Sequence, residues 1–236
     1  MEEISEHRID KWETLMFTYE SALKEIATKI DILNNEFIKI HNYNPIEHVT
    51  SRIKSSESIV KKLKRHGLEV NMDNMQNCLS DIAGIRIVCS FTSDIYRIAD
   101  RISSQSDIKV LTVKNYIANP KPNGYKSYHM VVSVPVYLST GPVNVKVEIQ
   151  IRTIAMDFWA SLEHKIRYKF EGKAPQHINE ELKACSDIVN MLDAKMLSLN
   201  EEVQALPKVG VEEQHEENRS EERRVGKECH ERCRSR

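Results

Sequence analysis

The sequence predicts an α+β (α/β) fold, a mixed β-sheet flanked by helices, with a long amphipathic helix near each end. Two segments, Ile85 to Phe91 and Val143 to Arg152, alternate apolar and polar residues with period two, as strands with one face on a core do. Two others, residues 12–40 and 182–203, repeat apolar residues at steps of three and four, the stripe of an amphipathic helix.

The elements follow in order. Trp12, Leu15, Tyr19, Leu23, Ile26, Ile30, Leu33, Phe37 and Ile40 form the first stripe, coiled-coil-like in its spacing. Asn42-Tyr43-Asn44-Pro45 ends it in a turn, and a second helix is expected from Glu47 to His66, with Gly67 as its C-cap. A strand at 85–91, a helix over 94–103 and a strand over 109–116 come next. Proline and glycine then make 119–124 a loop. Strands over 128–136 and 143–152 meet through Ser139-Thr140-Gly141-Pro142, a hairpin signal. A helix over 153–170 is expected to turn Phe158, Leu162 and Ile166 inward, and a last one carries Leu182, Cys185, Ile188, Leu192, Met196, Leu199 and Val203. Past Pro207 the periodicity stops and charged residues dominate, so residues 207–236 read as a disordered tail. Residues 219–236 resemble translated vector sequence, and Cys229, His230 and Cys233 there lack a fourth metal ligand. This divides the chain into an N-terminal helix (1–45), a core (46–170), a C-terminal helix (171–206) and the tail.

The 236 residues carry 34 Lys+Arg against 35 Asp+Glu, a net charge of -1. Such a chain buries a sizeable core without disulfides or a structural metal. Near-neutrality argues against a nucleic-acid binder driven by bulk electrostatics, while leaving room for a local phosphate site. No apolar run approaches the roughly 18 residues of a membrane helix, and the start, Met1-Glu2-Glu3, is not a secretory leader, so a cytoplasmic location is expected. Five cysteines, irregularly spaced, suit reduced thiols.

On the expected second helix, Lys54, Ser58, Lys61, Lys62 and Arg65 fall within an arc of roughly 100°, a face that attracts anions or is simply solvated. Asp81 and Glu148 are two carboxylates at or within strands, where a charge needs a partner. Together they suit one Mg²⁺, which takes hard oxygen ligands and completes its shell with water and phosphate. Alternatively Asp81 caps a turn and Glu148 pairs with Lys146 or Arg152. No Walker-A or Gly-x-Gly-x-x-Gly pattern occurs, so side chains would have to hold any phosphates. Tyr125, beside Gly124, offers a ring that could stack on a base, or is a surface tyrosine at a strand mouth.

Four motifs, Arg52-Ile53-Lys54-Ser55-Ser56-Glu57-Ser58, Asp81-Ile82-Ala83-Gly84-Ile85-Arg86, Asn123-Gly124-Tyr125-Lys126-Ser127-Tyr128-His129 and Glu148-Ile149-Gln150-Ile151-Arg152-Thr153, stand in the order found in the synthetase domain of the Rel/SpoT alarmone enzymes. The continuation Ala155-Met156-Asp157-Phe158-Trp159 resembles the small alarmone synthetases, most of all the RelP branch. The resemblance spans about residues 10–204 and implies a nucleotidyltransferase-like sheet. It also implies a pyrophosphokinase that moves the β,γ-diphosphate of ATP to the ribose 3′-hydroxyl of GDP or GTP, with AMP released. By the same resemblance, Arg52 and Arg86 would sandwich adenine, and Lys54, Ser58, Lys62 and Arg65 would hold the ATP phosphates. Asp81 and Glu148 would bind Mg²⁺, and Glu148 would take the hydroxyl proton. Tyr125 would stack on guanine, with His129, Gln150 and Lys126 as acceptor contacts. A homotetramer is implied, and no hydrolase activity, since no His-Asp pair occurs. The competing readings are a relative that pyrophosphorylates tRNA, which needs a basic RNA surface, and a non-catalytic nucleotide-binding module, which would have lost Asp81, Glu148 or Tyr125. Where the RelQ-type branch has an asparagine this chain has Asp157, whose charge is expected to repel a phosphorylated effector.

Overall fold

The computed structural model describes residues 2–168, 170 and 174–206. The expected disordered tail, with its Cys229, His230 and Cys233, lies outside them. In chain order the elements are α1 (Glu2–His41), β1 (Ile46–Ile53), α2 (Ser56–Arg65), α3 (Met72–Cys78), β2 (Ala83–Cys89), α4 (Thr92–Ser103), β3 (Lys109–Asn115), β4 (Tyr128–Leu138), β5 (Gly141–Thr153), α5 (Ile154–Tyr168) and α6 (Gln176–Ala205). The described residues up to Leu197 make one compact unit, and residues 198–206, the end of α6 and Leu206, fall outside it.

The five strands form one mixed sheet in the order β1-β2-β5-β4-β3, with β2 parallel to β5 and the other pairs antiparallel. One face is apolar throughout. Ile85 and Ile87 of β2, Val147, Ile149 and Ile151 of β5 and Met130, Val132 and Val134 of β4 bury against Ile26 and Ile30 of α1 and Ile95, Ile98 and Ile102 of α4. Removing that area from water is the main stabilising contribution to the unit. Pro135 of β4 is tolerated because the β3 ladder stops opposite Ser133, so the missing N–H is not needed there.

The sequence reading and the structure part company in four places. Residues 46–53 are an edge strand rather than the start of a helix, since β2 offers a free edge and Ile46 to Ile53 pair along it. An edge strand exposed on most of its residues carries no apolar alternation to announce it. The helix begins only after Ser55, whose side chain accepts from Ser58 N at 3.4 Å. Second, the short α3 was not expected. Third, α5 turns Met156, Trp159 and Ala160 inward, while Phe158 is 59% exposed and Leu162 and Ile166 are exposed too. Fourth, α6 buries Leu182, Ser186 and Asp193 and leaves Ile188, Leu192 and Met196 outside. Among the described residues no helix is long and apolar enough to cross a membrane, and Cys78, Cys89 and Cys185 are free thiols.

Candidate active site

The face of the sheet opposite the core carries the polar rows. Strand pairing sets Arg52 beside Gly84, Gly84 beside Glu148 and Glu148 beside Val131. Two residues along, Thr50, Arg86, Gln150 and His129 form a second row. Because side chains of one strand alternate faces, Arg52, Arg86, Glu148, Gln150, Arg152 and His129 project from the same side. Residues scattered over a hundred positions of sequence are thus collected by register alone.

Asp81 stands just before β2. Lys54 Nζ lies 2.6 Å and Lys62 Nζ 2.7 Å from its Oδ2. Lys62 arrives from α2, whereas Lys54 arrives from the end of β1, its N–H extending the ladder to Ile82 O at 2.8 Å. Two of the five residues of the expected basic face, Lys54 and Lys62, therefore converge on Asp81, although Lys54 is not helical. Burial pushes the Asp81 carboxyl upward, but the two lysines outweigh it and hold the group below the usual carboxylate range. Glu148 is likewise pushed up by burial and held low by His129 and Gln150, with Asp81 close enough to oppose them. Gln150 Nε2 donates to its Oε2 at 2.9 Å, and His129 Nδ1 is 3.6 Å from Oε1, an electrostatic contact longer than a hydrogen bond. Both carboxylates are ionised at neutral pH. Lys146 is not their partner: it donates to the carbonyls of Gln76 and Asn77 on α3.

For a hard divalent cation the donor set fits. Asp81 Oδ1 is buried with no hydrogen-bond partner, and an orphaned carboxylate oxygen is an acceptor awaiting a ligand. No group of three or more potential ligating side chains occurs among the described residues, so the two carboxylates would leave most of a metal's shell to water and phosphate, as Mg²⁺ prefers.

A second cluster is built around Tyr125. Its hydroxyl lies 2.7 Å from His129 Nε2 and accepts from Arg152 Nη2 at 2.7 Å. A guanidinium only donates, so the Tyr125 oxygen accepts from Arg152 and its hydroxyl shares a hydrogen bond with His129 Nε2. Tyr116 packs edge-on against both Tyr125 and His129, and Lys121 Nζ sits 4.7 Å from each tyrosine ring centroid. The loop is fixed by Asn123, whose amide donates to Glu163 Oε1 at 3.0 Å while its Oδ1 accepts from Tyr125 N at 3.3 Å. Tyr116, Lys121, Arg152 and Asp157 lie in these contacts; the sequence reading named Arg152 and Asp157 in other roles and Tyr116 and Lys121 in none. Arg152 was legible, being the next member of the polar row of Glu148 and Gln150.

Not every expected residue joins these contacts. Ser58 is exposed and receives the Ser55 hydroxyl at 2.9 Å, Arg65 is exposed at the end of α2, and the charge of Lys126 acts on Asp193 of α6. Asp157 is no free repelling charge: its Oδ1 lies 2.9 Å from Arg152 Nη1 and 3.3 Å from Arg86 Nη1. That pairing overrides the expectation drawn from its sign alone.

Comparison with known proteins bears on the whole arrangement. A family model described as a region found in RelA / SpoT proteins matches residues 51–173. The GTP pyrophosphokinase YwaC of Bacillus subtilis is 48% identical over 195 residues, which are 83% of this chain and 93% of that protein. The crystal structure of the small alarmone synthetase 2 from Bacillus subtilis superposes with a TM-score of 0.74 at 46% identity, covering 81% of this chain and 99% of the other. That of small alarmone synthetase 1 bound to its product pppGpp gives 0.76 at 36% identity, covering 82% and 98%. With the matched region spanning the basic cluster, both carboxylates and the Tyr125 loop, and with the same sheet in the solved relatives, the chain belongs to the RelA/SpoT family, among its small alarmone synthetases.

Proposed function

We propose that this chain is a GTP/GDP 3′-pyrophosphokinase, a synthetase without hydrolase activity, that transfers the β,γ-diphosphate of ATP to the ribose 3′-hydroxyl of GDP or GTP and releases AMP. The observation that supports it most is the pair of ionised carboxylates, Asp81 and Glu148, beside Lys54 and Lys62 on the face of the sheet away from the core. Arg52 and Arg86, diagonal neighbours on β1 and β2, hold adenine between planar guanidiniums. Lys54, Ser58, Lys62 and Arg65 take the triphosphate. Tyr125 stacks on guanine, with His129, Gln150 and Lys126 on the acceptor side. Glu148, held low, accepts the 3′-hydroxyl proton at neutral pH. Asp81 and Glu148 would hold Mg²⁺, which supplies charge neutralisation on the phosphate oxygens when bound. Catalysis then rests on in-line positioning and electrostatics.

Assembly into a homo-oligomer, a tetramer, belongs to the same proposal, supported by the exposed apolar residues of α5 and α6. A cytoplasmic location follows from nucleotide substrates. The direct test incubates the protein with Mg²⁺, γ-labelled ATP and each of GDP, GTP, GMP and tRNA. Label on GDP or GTP is the expected result; label on tRNA instead would replace the acceptor. Glu148→Gln should lower turnover by at least roughly 10²-fold, with ATP binding weakened less. Near-normal turnover in that variant would remove Glu148 from the role of base.

A further inference from the structure

Arg152 is 5% exposed, yet its guanidinium is engaged on every side. Nη1 donates to Asp157 Oδ1 at 2.9 Å, Nη2 to Tyr125 Oη at 2.7 Å and to Gln150 Oε1 at 3.1 Å, and Nε to Ser127 Oγ at 3.4 Å. Gln150 in turn donates to Glu148, and His129 links Glu148 back to Tyr125. The result is a closed circuit, Glu148–Gln150–Arg152–Tyr125–His129, with Arg152 as the member reaching outside it. What it reaches is Asp157, and the same Asp157 oxygen lies 3.3 Å from Arg86 Nη1. Two guanidiniums thus share one carboxylate. Arg86 also has a buried Nε with no hydrogen-bond partner, and burial together with Arg152 pulls its pKa below the ordinary arginine value while Asp157 opposes that.

Buried Arg152 is strongly unfavourable without its counter-charge, and the partly exposed Arg86 approaches the same Asp157 oxygen, so the two guanidiniums are linked through Asp157. We infer that Asp157 and Arg152 are positioning residues that couple the donor and acceptor subsites: fixing Arg86 on adenine also fixes the fork that grips the Tyr125 hydroxyl and aligns its ring for guanine. This rests on the reading that Arg86 serves the donor and Tyr125 the acceptor. Because one Asp157 oxygen serves both guanidiniums, a nucleotide that fixes one of them also fixes the other, so whichever nucleotide binds second binds more tightly. Linkage requires the enhancement to be the same in both directions.

The experiment is calorimetric titration of the full chain with Mg²⁺, using GDP and the non-transferable ATP analogue AMPCPP, each alone and in the presence of the other at saturation. The unsubstituted protein should show the same enhancement, about fivefold or more, in both orders. Asp157→Asn keeps the shape and removes the charge, and should bring the factor close to one. Tyr125→Phe keeps the ring and removes the group that Arg152 grips; whatever its affinity for GDP alone, the ratio between GDP binding with and without AMPCPP should fall close to one. A side chain with only a structural role would lower stability or both affinities and leave the factor unchanged. No enhancement in the parent, or full enhancement in both variants, overturns the coupling. Tyr125→Ala tests the underlying reading separately. It should weaken GDP by several fold or more and AMPCPP hardly at all, and equal effects on both ligands would mean that the subsite assignment, not the coupling, has failed.

Discussion

Among single residues, Asp193 shows how burial changes a charge's contribution. It sits on α6, 8% exposed, and accepts from Thr153 Oγ1 at 2.8 Å, while Thr153 Oγ1 accepts from Met156 N at the start of α5. Burial raises its pKa above the ordinary carboxylate range, against the opposing effects of Thr153, Lys126 and Thr92. The folded chain therefore holds this proton more tightly than the unfolded one. The stabilising contribution is complete below the unfolded value, about 3.9, and is lost as pH rises through the higher folded value. Asp193→Asn keeps an oxygen for Thr153 without the charge. The variant should gain stability over the parent as pH rises from about 4 to 7, measured by urea denaturation at both ends. A difference that does not change with pH would count against this account.

At the scale of elements, α6 acts as a buttress for the acceptor loop. Ser186, 3% exposed, donates to the carbonyl of Gly124 at 2.7 Å, and Trp159 Nε1 of α5 donates to Leu182 O at 2.9 Å. Tyr125 packs against the small cluster of Trp159, Ala160 and Leu182. Gly124 has φ +88°, and a Cβ there would meet Ser186 Oγ at 2.5 Å, so both conformation and space require glycine. Ser186→Ala leaves a buried carbonyl short of its donor, at a cost of about 1–3 kcal/mol. Its expected effect is a KM for the guanine nucleotide raised several fold with the KM for ATP unmoved, read from steady-state kinetics. If the two KM values rise together, α6 is supporting the whole domain rather than this loop.

For the whole molecule, the question is which apolar surfaces are spare. The α1 stripe is largely consumed internally: Ile30 is 1% exposed and Leu23 is buried in the same core. Leu23→Glu or Ile30→Glu, natural choices for breaking an interface when only the stripe is visible, should instead unfold the domain. Phe158 on α5 and Leu192 on α6 are more than half exposed, apolar surface that a partner subunit would cover in the proposed assembly. If the proposed oligomer uses these helices, Phe158→Glu or Leu192→Glu should dissociate it while leaving thermal unfolding cooperative, as followed by light scattering and circular dichroism. A 27.3 kDa monomer at micromolar concentration with full synthetase activity in the parent protein would refute the assembly.

The sequence by itself determined the α+β class, the alternating strands β2 and β5, the hairpin joining β4 and β5, and the two long helices, because each of these carries its period in its own residues. The motif residues Asp81, Arg86, Tyr125 and Glu148 were legible for the same reason of local pattern and order. Strand β1 was not, since an exposed edge is held by backbone hydrogen bonds to β2 and leaves no apolar signature in Glu47 to Arg52. The buried sides of α5 and α6 were also decided by tertiary structure. Apolar spacing says that a helix has a stripe but not what covers it, and here the core side of α6 holds Ser186 and Asp193 because they bond to Gly124 and Thr153. The sharing of Asp157 between Arg86 and Arg152 depends on β2, β5 and α5 meeting in space, a coincidence of register that no local pattern encodes.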